Sequence, residues 1–229
     1  MKFKIETIKH KNQTFNANST ISEFTNSQCT LCPQRNHCPL ITNNVEDHKI
    51  TKRKPKISTI SKSKMIFTEN AEWDEVHMII AGGVVTSMSS IDGEEQNTGI
   101  HLPGELIGFM NVDNQHINTA TTIMKTKVCS IPSKLYNNLA NESRTFRHRS
   151  MKRASNSIIE TKLFTNIIKY SSAAERINSL MNFINNKHQR LNNTATKRLP
   201  NKVLSNIVGI APETFSRKLK LLQKQNRPN

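Results

Sequence analysis

Between residues 50 and 135 the apolar positions come in short runs broken by turn residues. Val76–Ile80 and Val84-Val85 are separated by Gly82-Gly83, and this texture predicts strands. Asp92-Gly93 lies between Val84–Ile91 and Gln96–Leu102 and predicts a hairpin, and Pro103-Gly104 marks a further turn. Several short strands joined this way predict a small barrel or roll. After Pro132 the period lengthens. Met151, Ala154, Ile158, Thr161, Thr165 and Ile168 follow a 3-4-3-4-3 spacing and predict one stripe on a long helix. The stripe is only half apolar, because two threonines stand in it. A helix pairing through it is expected to be weak, and the same stripe also suits a helix lying on its own domain. Ile177, Leu180, Met181 and Ile184 predict a second amphipathic helix over 174–183, and the Asn-rich stretch 192–198 predicts a loop.

Near the end of the chain the pattern predicts two short helices. Pro200-Asn201 suits a helix start, with Val203, Leu204, Ile207 and Val208 on one face. Gly209 supplies the backbone freedom of a tight turn, and Pro212 fits the first turn of a new helix, where its missing N–H costs nothing. Phe215, Leu219 and Leu222 give that helix a buried face; Glu213, Ser216, Arg217 and Lys220 fall opposite. This is the build of a helix-turn-helix, whose second helix enters the DNA major groove. Arg217 can donate two bonds to guanine, Glu213 can accept from a cytosine amino group, and Ser216 can bond a base edge or a phosphate. Glu213 at this place also suits the positive end of the helix dipole.

Charge sharpens the picture. The chain of 229 residues has a formal charge of +16, but residues 1–140 hold 15 Lys+Arg against 13 Asp+Glu, while 141–229 hold 18 against 4. A near-neutral first part beside a strongly basic second part suggests a sensing domain joined to a polyanion-binding one. No apolar run approaches the roughly 18–20 residues of a membrane span, and the opening MKFKIETIKHKNQTF has no apolar core of a secretory signal. A cytoplasmic chain without a membrane partner is expected. Residues 1–27 read as a loosely ordered arm.

Three of the four cysteines cluster as Cys29-x2-Cys32-x5-Cys38, and Cys129 stands alone in the strand-like Val128–Ile131. Disulfides are not expected in a chain that is not exported. Four thiolates can hold either zinc or an iron–sulfur cluster. A solitary fourth ligand leans toward the cluster, and Cys129 taken by itself reads as a small buried hydrophobe. A dithiol redox enzyme would need a βα context after CxxC, whereas 39–60 is polar and Lys-rich. No enzyme is expected.

The order cysteine loop, β-roll, long helix, helix-turn-helix resembles the CRP/FNR superfamily of bacterial transcription regulators, in particular its oxygen-sensing FNR branch. The resemblance spans roughly 28–225. It rests on the Cys29/Cys32/Cys38 spacing, IDGEEQ and LPGELIGF within 77–109, VCSIP around Cys129, AAER at 173–176, and GIAPETFSR at 209–217. It implies an α+β fold with an N-terminal double-stranded β-helix (a cyclic-nucleotide-binding-like roll), a long dimerisation helix and a winged-helix-type DNA-binding domain. The implied division is an arm at 1–27, the cysteine loop and roll at 28–140, the dimerisation helix at 141–170 and the DNA-binding domain at 171–229. It further implies a [4Fe–4S] cluster on Cys29, Cys32, Cys38 and Cys129, and a homodimer through Met151, Ala154, Ile158, Thr161, Thr165 and Ile168. The expected DNA target is a TTGAT-N4-ATCAA palindrome, read by Glu213, Ser216, Arg217 and Lys220, with RNA polymerase as a further partner. The alternative is a CRP-like regulator with a structural zinc or a small-molecule effector. Relatives that bind cyclic AMP place an Arg-Ser or Arg-Thr pair after the Gly-Glu turn; here 106–122 contains no Arg, so a cyclic nucleotide is disfavoured. In the family a β-hairpin wing follows the recognition helix. The sequence given stops at Asn229, so the wing is expected to be truncated.

Overall fold

The structure is a computed structural model that describes residues 31–40, 55–93, 95–190 and 199–225. Eight strands build two antiparallel four-stranded sheets: β1 (Lys56–Ile60), β8 (Thr126–Pro132), β3 (Glu75–Ala81) and β6 (Leu106–Ile107) in one, and β2 (Met65–Phe67), β7 (Thr119–Thr122), β4 (Val84–Ser89) and β5 (Glu95–His101) in the other. Phe67, Ile79, Val84, Ile107 and Ala120 come from both sheets and fill the space between them. The β4–β5 hairpin turns at Asp92-Gly93, with Gly93 at φ +79. Gly82 sits at φ +95, where a Cβ would lie 2.6 Å from the Thr126 backbone, so this turn requires glycine.

Five helices follow: α1 (Ser133–Glu142), α2 (Arg144–Ile168), α3 (Ala173–Arg190), α4 (Asn201–Ile207) and α5 (Pro212–Gln225). The expected mixed α+β architecture is the one observed. Helix α1 is an addition to the sequence reading, which placed the long helix from 141. Ser143 adopts an extended backbone that ends α1, and its hydroxyl accepts from the Phe146 N–H at 3.1 Å, capping α2. Helix α3 runs to 190 rather than 183, because Ile184 and Lys187 continue its buried stripe. The arm at 1–27 and the loop at 192–198 lie outside the described residues.

Alternation along the first sheet creates two faces. Val76, Met78 and Ile131 turn away from the other sheet and pack under Leu135 and Leu139 of α1 and Phe146 of α2, with Trp73 and Leu106. A third cluster joins the roll to the later helices. Ile100 and Leu102 of the roll, Phe164 and Ile167 of α2, Ile177, Leu180 and Ile184 of α3, and Leu204, Ile207, Val208 and Phe215 of α4 and α5 share one core.

Candidate functional site

Helices α4 and α5 meet at Gly209, whose φ of +61 is the left-handed value the turn needs. The Ile210 N–H donates to the Ser205 carbonyl at 3.0 Å, closing the end of α4. Phe215 is fully buried and holds α5 against the domain core. Its outward face carries Glu213, Arg217 and Lys220, all exposed and one or two turns apart. Ser216 differs from the other three. It is half-buried, and its Oγ accepts from Asn201 Nδ2 of α4 at 3.3 Å, so it joins the two helices as well as edging the reading face.

At the other end, Cys32 opens a tight 3-10 turn and Cys38 closes it: the Arg35 N–H donates to the Cys32 carbonyl at 3.0 Å, and the Cys38 N–H to that of Arg35 at 3.2 Å. Gln34 Nε2 donates to the Ile80 carbonyl at 3.3 Å, pinning this turn to β3. Cys129 pairs with Met78 of β3 and Ile57 of β1, and by alternation shares the Ile131 face rather than the interior of the roll. Cys38 and Cys129 pack on the same apolar cluster, the one that includes Phe146 of α2. Cys32, Cys38 and Cys129 are all half-buried. Cys29 lies outside the described residues, and among those described no group of three or more His, Cys, Asp or Glu side chains is gathered closely enough to hold a metal. The donor chemistry nonetheless suits a thiolate-ligated centre, since the distant strand cysteine and the loop cysteine share one apolar seat.

Arg153 of α2 ties this region together. Its Nη1 donates to the Gly104 carbonyl at 2.8 Å. Burial holds its guanidinium below the usual range, while Cys38 and Glu105 pull it back up. Neighbouring His37 is also held low, by burial and then by the Arg153 charge.

The stripe read from the sequence faces outward along α2. Met151, Ile158 and Ile168 are exposed, as are Thr161 and Thr165, and Ala154 is half-buried. The helix rests on its own body through a neighbouring face, about 100° round from the stripe, with Phe146, Ser150, Glu160, Phe164 and Ile167 buried. Both threonines are satisfied within the helix: Thr161 Oγ1 donates to the Ser157 carbonyl at 3.0 Å and Thr165 Oγ1 to that of Thr161 at 2.8 Å. With the hydroxyls turned back to the backbone, covering this stripe strands no hydrogen bond.

One buried group escaped the sequence reading. Lys187 of α3 is 2% exposed and lies between Glu160 of α2, at 2.8 Å, and Glu105 of the roll, at 3.0 Å. It also donates to the Ile100 carbonyl and lies 5.4 Å from the Phe183 ring centre. His101 beside it is held neutral, its pKa lowered to about 3 by burial and by the Lys187 charge, against the opposing pull of Glu160. The signal was present: Ile177, Leu180, Ile184 and Lys187 follow a 3-4-3 spacing, and Glu160, Phe164 and Ile167 a 4-3 spacing. A lone cation on one apolar stripe and a lone anion on another suggest partners.

The described chain thus joins a β-roll, a long helix with an exposed half-apolar stripe and a helix-turn-helix. Residues 58–143 match the cyclic nucleotide-binding domain family. Regulatory protein HlyX of Actinobacillus pleuropneumoniae is 28% identical over 182 residues, covering 78% of this chain and 74% of that protein. The transcriptional activator protein Anr of Pseudomonas protegens is 28% identical over 198 residues, covering 82% and 78%. The fumarate and nitrate reduction regulatory protein of Yersinia pestis is 28% identical over 184 residues, covering 79% and 72%. Among solved structures, FixK2 of Bradyrhizobium japonicum superposes with a TM-score of 0.64 at 19% identity, covering 76% of this chain and 86% of that one. A crp/fnr family regulator from Eubacterium rectale does so at 0.58 and 15%, covering 83% and 88%. The chain thus carries a match to a cyclic nucleotide-binding domain, has relatives named as transcription regulators, and shares the fold of CRP/FNR family regulators. Among the described residues no helix is long and apolar enough to cross a membrane.

Proposed function

We propose that this chain is an oxygen-responsive regulator of the FNR type, which binds a palindromic TTGAT-type DNA site as a homodimer and acts there with RNA polymerase. The observation that carries the reading is the common seat of Cys38 and Cys129 on a cluster that contains Phe146, at the base of the helix bearing the exposed stripe. Cys29, Cys32, Cys38 and Cys129 would hold a [4Fe–4S] cluster, which when bound supplies sensitivity to oxygen. The chain's own residues do the rest. Gln34 fixes the cysteine turn to the roll and Arg153 fixes the first half of α2 to it, so the turn and the helix share one support. Met151, Ala154, Ile158, Thr161, Thr165 and Ile168 pair with a second copy. Because the exposed apolar area is modest, a few kcal/mol of differential stability is enough to tip the pairing. Glu213, Ser216, Arg217 and Lys220 read the DNA, in the cytoplasm.

A cyclic nucleotide is a poor fit. Glu105 is spent on Lys187 and accepts the Leu102 N–H at 2.7 Å, and no arginine follows it in 106–122 to meet a phosphate. The test is anaerobic purification with iron, sulfide and zinc analysis, followed by exposure to air. About four irons per chain, with visible absorbance that air bleaches, is expected. Stoichiometric zinc without iron would replace this reading with the structural-zinc alternative. Cys129→Ser is expected to abolish both the iron and the oxygen-dependent self-association; a variant that keeps them would exclude Cys129 as a ligand.

A further inference from the structure

The apolar core between roll, α2 and α3–α5 holds these parts together through hydrophobic contact, which is itself non-directional. An ion pair with fixed hydrogen bonds is directional, and a buried polar group tolerates few alternative arrangements. The only such group among the described residues in this core comes from three different parts of the molecule: Lys187 from α3, Glu160 from α2, and Glu105 with the Ile100 carbonyl from the roll. Sliding α3 along α2 by one turn would take the Lys187 ammonium away from both carboxylates and leave two largely buried acids without their shared cation. Glu105 is itself held at both sides. Its carboxylate accepts from the Leu102 N–H at 2.7 Å, and Arg153 of α2 donates to the carbonyl of the preceding Gly104 at 2.8 Å. Arg153, which feels the charge of Cys38, thus braces the turn that carries Glu105, while the acid itself turns to Lys187 of α3.

We infer that Lys187 is a positioning residue: through Glu160 and Glu105 it sets the orientation of the helix-turn-helix relative to the roll and the long helix, and thereby the presentation of α5 to DNA. Its link to DNA rests on the function proposed above; the orientation itself does not.

The test uses the full chain, kept anaerobic. Trp73, the single tryptophan, is buried in the roll and serves as an energy-transfer donor. A genetically encoded coumarin amino acid at the exposed position Asn206 of α4 serves as acceptor. Lys187→Met is expected to broaden the distance distribution and to lower the ratio of TTGAT-palindrome to non-specific DNA binding by about tenfold or more. Lys187→Arg is expected to restore much of both, and the Trp73 emission of an acceptor-free sample should stay that of the folded roll. A Lys187→Met distribution as narrow as the parent's, about the same mean, overturns the inference whatever happens to DNA binding. If that variant's Trp73 emission matches the urea-unfolded chain, Glu160→Gln takes its place, since it leaves the Glu105 pair intact: a broadened distribution supports the inference and an unchanged one overturns it. Should the parent itself fail to prefer the palindrome, the functional reading fails and the distance measurement still decides the inference.

Discussion

Replacing Ile158 by alanine measures the proposed helix pairing directly. Ile158 is 60% exposed in the single chain, on the outward stripe of α2. Full burial of such a side chain is worth roughly 1.5–3 kcal/mol, so covering its exposed part contributes about 1–2 kcal/mol. A two-fold axis presents the residue twice, which raises the loss to about 2–4 kcal/mol and the dimer dissociation constant by about 30- to 700-fold. Ile159 provides the control. It is 55% exposed, of the same chemistry and on the same helix, but about 100° further round. Both substitutions remove mostly solvent-exposed atoms, so neither should cost the monomer much. Sedimentation velocity on anaerobic protein over a concentration series separates them: Ile158→Ala should shift the monomer–dimer midpoint by the stated factor and Ile159→Ala by less than about threefold. Equal shifts would place the seam on another face of α2, and no shift in either would refute a dimer built on this helix.

Two further outcomes follow from the same geometry. Arg217→Ala should cost about 1–3 kcal/mol of DNA affinity and relax preference at one base pair, whereas Lys220→Ala should weaken all sequences alike and flatten the salt dependence; the check is a binding titration over single-base variants at several salt concentrations. If Arg217→Ala weakens every sequence equally, it contacts phosphate instead of a base. The second outcome is acid sensitivity. His77 is held to about 4, by burial and then by His116, against the pull of Asp74, with the Glu75 carboxylate 4.0 Å away; His101 is held to about 3, in the surroundings of Lys187 and Glu160. An unfolded histidine takes its proton near 6.5, so below that pH the unfolded chain binds more protons and stability falls, at about 1.4 kcal/mol per pH unit per histidine. The two together should lower unfolding free energy by about 3 kcal/mol between pH 6.5 and 5, since the unfolded histidines are already half protonated at 6.5. The urea midpoint of Trp73 fluorescence reads this; equal midpoints at pH 7 and 5 would show that these histidines titrate normally in the folded state.

Much of this molecule is local in origin and so was legible in the residues themselves. The Asp92-Gly93 hairpin, the left-handed turn at Gly209, the amphipathic face of Phe215 and the 3-4-3-4-3 stripe on α2 each depend on neighbours a few positions away, where backbone geometry and side-chain period speak directly. The same is true of the polar face that carries Glu213, Arg217 and Lys220. Helix α1 was missed because its boundary rests on one capping serine rather than on a change of period.

What the folded chain alone decided lies at long range. Two apolar faces of one sheet look alike in sequence, and only strand pairing put Cys129 on the face that Cys38 and Phe146 also seek. The threonines in the stripe read as polar until their hydroxyls were seen returning to the helix carbonyls. Lys187 and its two acids come from segments that chain order keeps 27 and 82 positions apart. Local patterns can show that each of those charges stands on a buried stripe, but which opposite charge meets it depends on how the stripes cross, and that is settled only when distant elements exclude water from one another.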